Sequence, residues 1–344
     1  MGYRFRKRIK IFPGLHITLS PSGISTSVGV PGARITLGST GRVTRTFGIP
    51  GTGFYHVETL GQTGRKRSRS REELPEGAIK TSTGEVIVPG PPGYPNILSR
   101  KYEKQLYSAL QTDTSEAMAK VYQEHPEAAL AAGFFLAYFL VREGKNDEAR
   151  EVLAKVWERN KEIPTDQLFL EYANPHVIEV TVAPSAKIMT RIDRECVGLF
   201  YGELLQMSGD VERAIEVVES LKETQGVVIS LADLYVRTER WDRIIELSND
   251  VSNDDDVTAL LLVYRGIAFR EKGFNEAARE VFKSALSSKK RSEEIRLLAM
   301  TERAFTYIKE GKVALAKREM ERIMAADPED PGIPRIQAAL ENPA

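Results

Sequence analysis

Residues 264–286, YRGIAFREKGFNEAAREVFKSAL, decide the fold of this protein. Small, aromatic and turn-forming residues recur through the stretch at helical spacing: Gly266, Phe269, Gly273, Ala278, Phe282 and Ala285. Gly266 and Ala278 allow two antiparallel helices to approach closely, because neither side chain adds bulk at the contact. We expect Phe269 and Phe282 to fill the layer between the helices, and Gly273 to begin the turn. The stretch therefore predicts one complete helical hairpin.

The same spacing recurs elsewhere in the chain. A poorer copy at residues 231–247 has Thr238 at the glycine position and Arg243 at the alanine position. Residues 102–125 predict a further hairpin or a cap. Three good copies have a glycine five residues before an alanine: Gly144 and Ala149, Gly209 and Ala214, Gly311 and Ala316. The sequence therefore predicts five hairpins, or six if residues 102–125 form one.

These offsets resemble those of tetratricopeptide repeats. The resemblance implies an all-α, tetratricopeptide-like right-handed superhelix over residues 97–344, with a concave face. An insertion near residues 163–192 interrupts the period, and its alternating residues 177–182, Pro184-Ser185 and residues 188–190 predict a short β-hairpin. The insertion either carries binding specificity or has a structural role, such as docking the N-terminal part.

The N-terminal part has the pattern of short strands. Residues 15–19 and 24–28 are β-branched or apolar runs separated by Ser20-Pro21-Ser22-Gly23. Residues 22–32 recur in similar form at residues 40–51, and both copies end in a Gly-apolar-Pro-Gly sequence that predicts a type II turn. We expect residues 1–62 to form a small all-β module, with two similar hairpins stacked or packed face to face.

Several short motifs of this module agree in order with a known family. They are Tyr3-Arg4-Phe5-Arg6-Lys7, Pro13-Gly14, Ser22-Gly23-Ile24-Ser25, Gly32-Ala33-Arg34-Ile35 and Gly48-Ile49-Pro50-Gly51-Thr52-Gly53. The module resembles domain of unknown function 4236 (DUF4236), which occurs in bacterial and phage-associated proteins. That resemblance implies no catalytic residues.

Residues 63–96 read as a linker. Arg65-Lys66-Arg67-Ser68-Arg69-Ser70-Arg71 is a basic run that would be flexible on its own. Residues 85–88 predict one short strand, and the prolines of residues 89–95 mark the boundary before the helices.

Charge is unevenly distributed along the chain. Residues 1–71 hold 13 Lys and Arg against one acid, Glu58, whereas residues 72–344 hold 35 against 47. A basic module of this kind can bind nucleic acid, an anionic lipid surface or an acidic protein surface, including the acidic C-terminal half of this chain or of another copy. The candidate contacts to such a partner are Arg4, Arg6, Lys7, Arg8, Lys10, Arg65, Lys66, Arg67 and Arg69.

The sequence shows no cluster of residues at the spacing of a catalytic or metal-binding motif. We therefore expect neither an enzyme nor a bound metal or cofactor. We expect surface or capping roles for the four histidines, His16, His56, His125 and His176, and a core position for Cys196. Asn253-Asp254-Asp255-Asp256 precedes an apolar helix, so its acids predict a helix N-cap rather than a metal site.

Two functions remain open from the sequence. One is a scaffold or adaptor, in which the helical repeats bind a protein or peptide and the β-module anchors the molecule or makes it self-associate. The other is binding of nucleic acid or an anionic surface through the basic module. No stretch reaches the roughly 18 apolar residues of a membrane helix, and no secretory segment is evident, so we expect a cytoplasmic protein.

Overall fold

The structure is a computed structural model that describes residues 7–12, 15–20, 23–30, 33–38, 42–48, 55–62, 78–80, 86–87, 93–249 and 251–341. The larger part of these residues is helical, as the sequence predicts. The helices are α1 Lys101–Thr112, α2 Ser115–Glu124, α3 Ala129–Arg142, α4 Asn146–Glu158, α5 Arg194–Met207, α6 Val211–Glu219, α7 Gln225–Arg237, α8 Trp241–Leu247, α9 Asp256–Glu271, α10 Asn275–Ala285, α11 Glu293–Lys309, α12 Val313–Ala326 and α13 Gly332–Glu341.

Six strands precede the helices and pair antiparallel in chain order: β1 Lys7–Phe12, β2 Leu15–Ser20, β3 Gly23–Val30, β4 Ala33–Gly38, β5 Arg42–Gly48 and β6 Tyr55–Gln62. Only two residues separate β3 from β4, so these strands lie side by side. The similar segments 22–32 and 40–51 contain β3 and β5, which share this one sheet with β4 between them. The prediction that they stack or pack face to face is therefore wrong.

Two smaller pairs of strands follow. The segment predicted as one strand is half of a short antiparallel pair, β7 Ile79–Lys80 and β8 Val86–Ile87. Within the helical part, β9 Val177–Ala183 and β10 Ala186–Arg191 pair with each other, joined by Pro184-Ser185. This small two-stranded sheet confirms the predicted β-hairpin.

The chain forms two compact units. The first comprises residues 1–179 and 189–197, and the second comprises residues 180–188 and 198–344. In the first unit, α3 buries the rings of Phe134, Phe135 and Phe139 completely or almost completely. In the second unit, Tyr235 and Phe282 are fully buried. The predicted boundaries at residues 62 and 96 stay a prediction.

A repeated glycine turn joins the two helices of four hairpins, α3–α4, α5–α6, α9–α10 and α11–α12. A glycine with positive φ follows the first helix, and the next N–H donates to a carbonyl five residues earlier, as Phe274 N does to Phe269 O at 2.8 Å. This is the hydrogen bond of a Schellman turn, which needs a left-handed residue. The glycines and their φ angles are Gly144 (77°), Gly209 (88°), Gly273 (83°) and Gly311 (70°).

The turn between α7 and α8 shows that the predicted alignment of the poorer copy was wrong by one residue. Glu239, with a φ of 55°, is the left-handed residue, and Arg240 N donates to Tyr235 O at 2.9 Å. Glu239 therefore occupies the glycine position assigned to Thr238. Five residues later stands Ile244, which is completely buried, where the sequence frame placed Arg243. The predicted alignment was one residue too early because this turn contains no glycine to mark the left-handed position.

Gly266 and Phe282 hold α9 against α10. A Cβ at Gly266 would lie 2.5 Å from Phe282 Cε1, closer than real Cβ atoms approach any atom. Phe282 is fully buried, so its ring has no free space to move into. Phe269 differs from the expectation: it is only half-buried, and its ring meets that of Phe274 edge-on at 6.4 Å. Phe269 thus covers the turn, while Phe282 fills the layer between the helices.

Candidate functional site

The histidines and the cysteine of the helical part have structural surroundings. His125 ends α2, as expected of a capping residue. His176 is buried and meets the ring of Phe135 edge-on at 5.9 Å, so the expected surface or capping role is wrong for it. Cys196 is completely buried, and burial raises the pKa of its thiol well above the ordinary value. A buried thiol that resists ionisation is a packing group. His16 and His56 lie in β2 and β6.

The acidic run before α9 caps that helix. Asp255 Oδ1 accepts a hydrogen bond from Thr258 N at 2.8 Å, and Thr258 Oγ1 accepts one from Asp255 N at 2.9 Å. This reciprocal pair is a capping box. Among the residues that the structure describes, no three His, Cys, Asp or Glu side chains come together as metal ligands would.

A cleft of about 510 Å³ lies in the second unit. Its walls come from the start of α11, the connection between α12 and α13, and Ser185 at the turn between β9 and β10. Leu297, Leu298, Ala326 and Pro331 supply apolar surface. Pockets of about 300–1,000 Å³ with apolar walls and a few polar groups are typical of binding sites.

Gly332 sets how closely α13 approaches α11. A Cβ at Gly332 would lie 2.3 Å from Thr301 Oγ1. Asp330 Oδ1 accepts a hydrogen bond from Gly332 N at 2.7 Å, which satisfies a backbone donor at the start of α13. Leu297, Ile333 and Ile336 belong to the apolar core that joins these helices. The wall of the cleft is therefore supported by packed helices.

The lining residues of the cleft carry four carboxylates and one guanidinium. The carboxylates belong to Glu293, Glu294, Asp327 and Asp330, and the guanidinium belongs to Arg335. Glu293 and Glu294 are exposed in the first turn of α11, where the helix dipole favours negative charge.

Arg335 is directed toward groups beside the cleft. Its Nη2 lies 3.7 Å from Glu302 Oε1, and its guanidinium lies 5.1 Å from the centre of the Phe305 ring. Glu302 is buried and also pairs with Arg270, at 2.8 Å. Arg335, whose side chain is 58% exposed, thus lies at the edge of this buried pair. The lining of the cleft therefore has four acidic side chains and one basic side chain, Arg335, which contacts Glu302 and Phe305.

The tip of the β-hairpin packs on helices of the same unit. A Cβ at Gly226, in α7, would lie 2.5 Å from Ile188 Cδ1. Thr181 donates a hydrogen bond to Glu203 in α5; burial raises the pKa of Glu203, and the hydrogen bond and the charge of Lys187 partly offset that rise. Ser185 reaches the cleft beside α11. Residues 180–188 therefore have contacts with α5 and α7 and also line the cleft.

The sequence did not predict the cleft, and of its lining residues only Ser185 was singled out, as part of the predicted β-hairpin. The basic residues predicted to contact an anionic partner lie elsewhere: Lys7, Arg8 and Lys10 are in β1, an edge strand of the six-stranded sheet. Arg4, Arg6, Arg65, Lys66, Arg67 and Arg69 lie outside the described residues. The sequence signal that bears on the cleft is the acidic balance of residues 72–344, which does not locate it.

Comparison with known families confirms the resemblance of the N-terminal part. Residues 3–57 match the family described as Protein of unknown function (DUF4236). No curated protein matches the chain. No helix of the described residues is long and apolar enough to cross a membrane.

Three solved structures are similar in fold to this chain over 65–71% of its length. The N-terminal domain of EccA1 ATPase, from the ESX-1 secretion system of Mycobacterium tuberculosis, has a TM-score of 0.52 and 16% identity, over 71% of this chain and 90% of that one. YrrB, a TPR protein with an unusual peptide-binding site, has a TM-score of 0.41 and 14% identity, over 65% of this chain and 100% of that one. BtubC (BKLC) from P. vanneervenii has a TM-score of 0.40 and 14% identity, over 71% of this chain and 94% of that one. The predicted DUF4236 segment is confirmed, and the fold of 71% of the chain is similar to that of the EccA1 domain.

Proposed function

We propose that this protein is a non-enzymatic adaptor whose helical repeats bind a protein or peptide segment in the cleft beside α11. The cleft itself carries the proposal: about 510 Å³ of space, with Leu297 and Leu298 on one wall and charged groups at its rim. An extended peptide offers both apolar and polar groups along its length, so it can use both kinds of surface.

The repeats stack as a superhelix in this proposal, and residues 1–62 form an all-β module that anchors the protein or makes it self-associate. β1 and β6 are the edges of the six-stranded sheet, and edge strands offer unpaired backbone groups to another strand. A module of about 60 residues buries little apolar area, which favours an additional partner. Residues 63–96 then serve as the linker, and the cytoplasm remains the expected location.

A second function is supported by the charge of the N-terminal part. Thirteen Lys and Arg against one acid in residues 1–71 favour binding to nucleic acid or to anionic lipid. Fluorescence anisotropy with a DNA duplex, and sedimentation with phosphatidylserine vesicles, should separate this function from the first. If it holds, affinity falls steeply with salt, and a full-length variant with Arg65, Lys66, Arg67 and Arg69 changed to Gln binds more weakly.

Peptide selection with the full-length chain tests the adaptor function. A phage-displayed library of random dodecapeptides is selected on the protein, and recovered peptides are measured by fluorescence polarisation. Leu298 lines the cleft and is half-buried, so Leu298→Asn should weaken binding at least about tenfold, since an uncharged polar amide replaces apolar contact. Leu315, exposed on α12, provides the matched control Leu315→Asn.

Binding that Leu298→Asn weakens and Leu315→Asn leaves unchanged supports the cleft as the site. A selection that recovers no peptide contradicts the adaptor function. Equal effects of the two substitutions would place binding elsewhere on the protein. Circular dichroism of each variant confirms that the helices are intact.

A further inference from the structure

We infer that the cleft beside α11 takes a basic peptide segment, one that carries two or more Lys or Arg side chains. This inference rests on the proposed function and names the chemistry of the partner. Four carboxylates and one guanidinium line the cleft. The lining residues therefore have a formal charge of −3, taking Glu293, Glu294, Asp327 and Asp330 against Arg335.

The acids at the start of α11 are available to a partner. Glu293 and Glu294 are exposed, and neither has an ion pair among the described residues. Asp327 and Asp330 each use one oxygen to accept a nearby backbone N–H, from Glu329 at 2.9 Å and from Gly332 at 2.7 Å. Because a carboxylate has two oxygens, each aspartate keeps one for a cationic ligand.

The single base at the rim does not neutralise these acids. Arg335 lies beside Glu302 and over the ring of Phe305. The buried pair between Glu302 and Arg270 holds this cluster in place. One guanidinium against four carboxylates leaves the lining of the cleft negatively charged.

The apolar wall also suits Lys and Arg. These side chains can lay their aliphatic stems on apolar surface while their charged ends reach a carboxylate. Leu297 and Leu298 follow Glu293 and Glu294 by one helical turn, so the apolar surface and the charges lie along one side of α11. An acidic peptide would face four carboxylates and only one base, and an entirely apolar peptide would leave the carboxylates without partners.

The test uses the full-length protein and the peptides recovered from the random library. Lys and Arg should be enriched at two or more positions in those peptides. A synthetic peptide that matches the recovered pattern is then compared with versions in which Lys and Arg become Gln or Glu. We expect the Gln version to bind about tenfold more weakly and the Glu version not to bind, with affinity for the basic peptide falling as salt rises.

Two variants that should change the affinity in opposite directions test the role of the charges. Glu293→Gln together with Glu294→Gln should weaken the basic peptide about threefold to tenfold. Arg335→Gln removes the opposing charge and should strengthen binding about twofold, an effect that misfolding does not produce. The matched control is Glu116→Gln together with Glu276→Gln, exposed first-turn glutamates of α2 and α10 outside the cleft, which should leave affinity unchanged.

The outcomes separate the inference from the proposed function. Neutral or acidic peptides that bind and lose affinity with Leu298→Asn would overturn the basic partner while keeping the cleft as a site. An equal loss of affinity in the control pair would also overturn it, because the effect would then come from helix stability. A failure to recover any peptide would overturn the proposed function, and the inference with it.

Discussion

Replacing Glu239 with glycine tests the turn between α7 and α8, and we expect the substitution to stabilise the protein. Glu239 has a φ of 55°, and a left-handed backbone costs a residue with a Cβ about 1–2 kcal/mol. Glycine avoids this cost but loses about 0.5–1 kcal/mol more in backbone entropy on folding. Glu239 is exposed, so little packing is lost with its side chain. The net gain in the free energy of unfolding is roughly 0.5–1 kcal/mol.

The neighbouring residue provides a control of opposite sign. Thr238 has a φ of −103°, where glycine offers no relief. Its Oγ1 donates a hydrogen bond to Leu234 O at 3.0 Å, and a hydrogen bond of this kind contributes about 0.5–1.5 kcal/mol. Glycine also loses more backbone entropy on folding than threonine does. Thr238→Gly should therefore lower the free energy of unfolding by roughly 1–2 kcal/mol.

Urea unfolding followed by circular dichroism measures both variants. Hydrogen exchange of the amides in α7 and α8 reports the same change locally, which matters in a chain with two compact units. We expect a higher urea midpoint and slower exchange for Glu239→Gly, and the reverse for Thr238→Gly. If Glu239→Gly lowers the midpoint as much as Thr238→Gly does, the left-handed residue is not at position 239.

Three further predictions concern single positions. Gly266→Ala should destabilise the protein by about 1–2 kcal/mol, because overpacking against Phe282 costs about 1–3 kcal/mol and helix propensity returns about 1 kcal/mol; in urea unfolding, the same substitution should cost less in a Phe282→Leu background. Hydrogen bonds from Lys145 and Ser115 hold the pKa of Glu143 at about 2, below its usual 4.5. Its contribution to stability is therefore present above pH 4.5 and is lost as the pH falls through about 2, so the difference in unfolding free energy between the natural chain and Glu143→Gln should shrink over that range. Cys196 should resist iodoacetamide at pH 8 in the folded protein and react in urea, as read by mass spectrometry, because its thiol is buried; rapid reaction of the folded protein would contradict its core position.

The helical hairpins could be predicted because their turns need particular residues. Gly144, Gly209, Gly273 and Gly311 have the positive φ that glycine adopts without strain. The alanine five residues later allows close packing, so two small residues at a fixed distance identify the hairpin. The same reasoning failed at Glu239, since a glutamate in a left-handed turn carries no signal that distinguishes it from Thr238.

The surroundings of single polar residues were harder to predict. His176 follows a proline and looked like a surface residue, yet it is buried against Phe135. Its burial depends on an aromatic ring 41 residues earlier in the chain (176 − 135), which no local pattern reveals. Cys196 lies in an apolar helical stretch, and there the local pattern was sufficient.

The cleft could not be predicted because its parts are distant in the sequence. Ser185 belongs to the inserted hairpin, Leu298 to the first turns of α11, and Arg335 to the last helix. The sequence of each segment alone predicts only an ordinary turn or helix end. The packing of α13 on α11, through Gly332 and Thr301, brings Arg335 and Leu298 together, and the β-hairpin adds Ser185.

A label at the tip of the β-hairpin tests the use of the cleft most directly. Cys196 is the only cysteine of the chain and is buried, so Ser185→Cys adds a single reactive thiol at the cleft. A trifluoromethyl label on that thiol is observed by fluorine nuclear magnetic resonance while a basic peptide from the selection is added. Ser108→Cys, exposed on α1, is the matched control. We predict that the label at position 185 shifts and saturates with the peptide affinity while the label at position 108 does not; binding that leaves position 185 unchanged would contradict the cleft as the site.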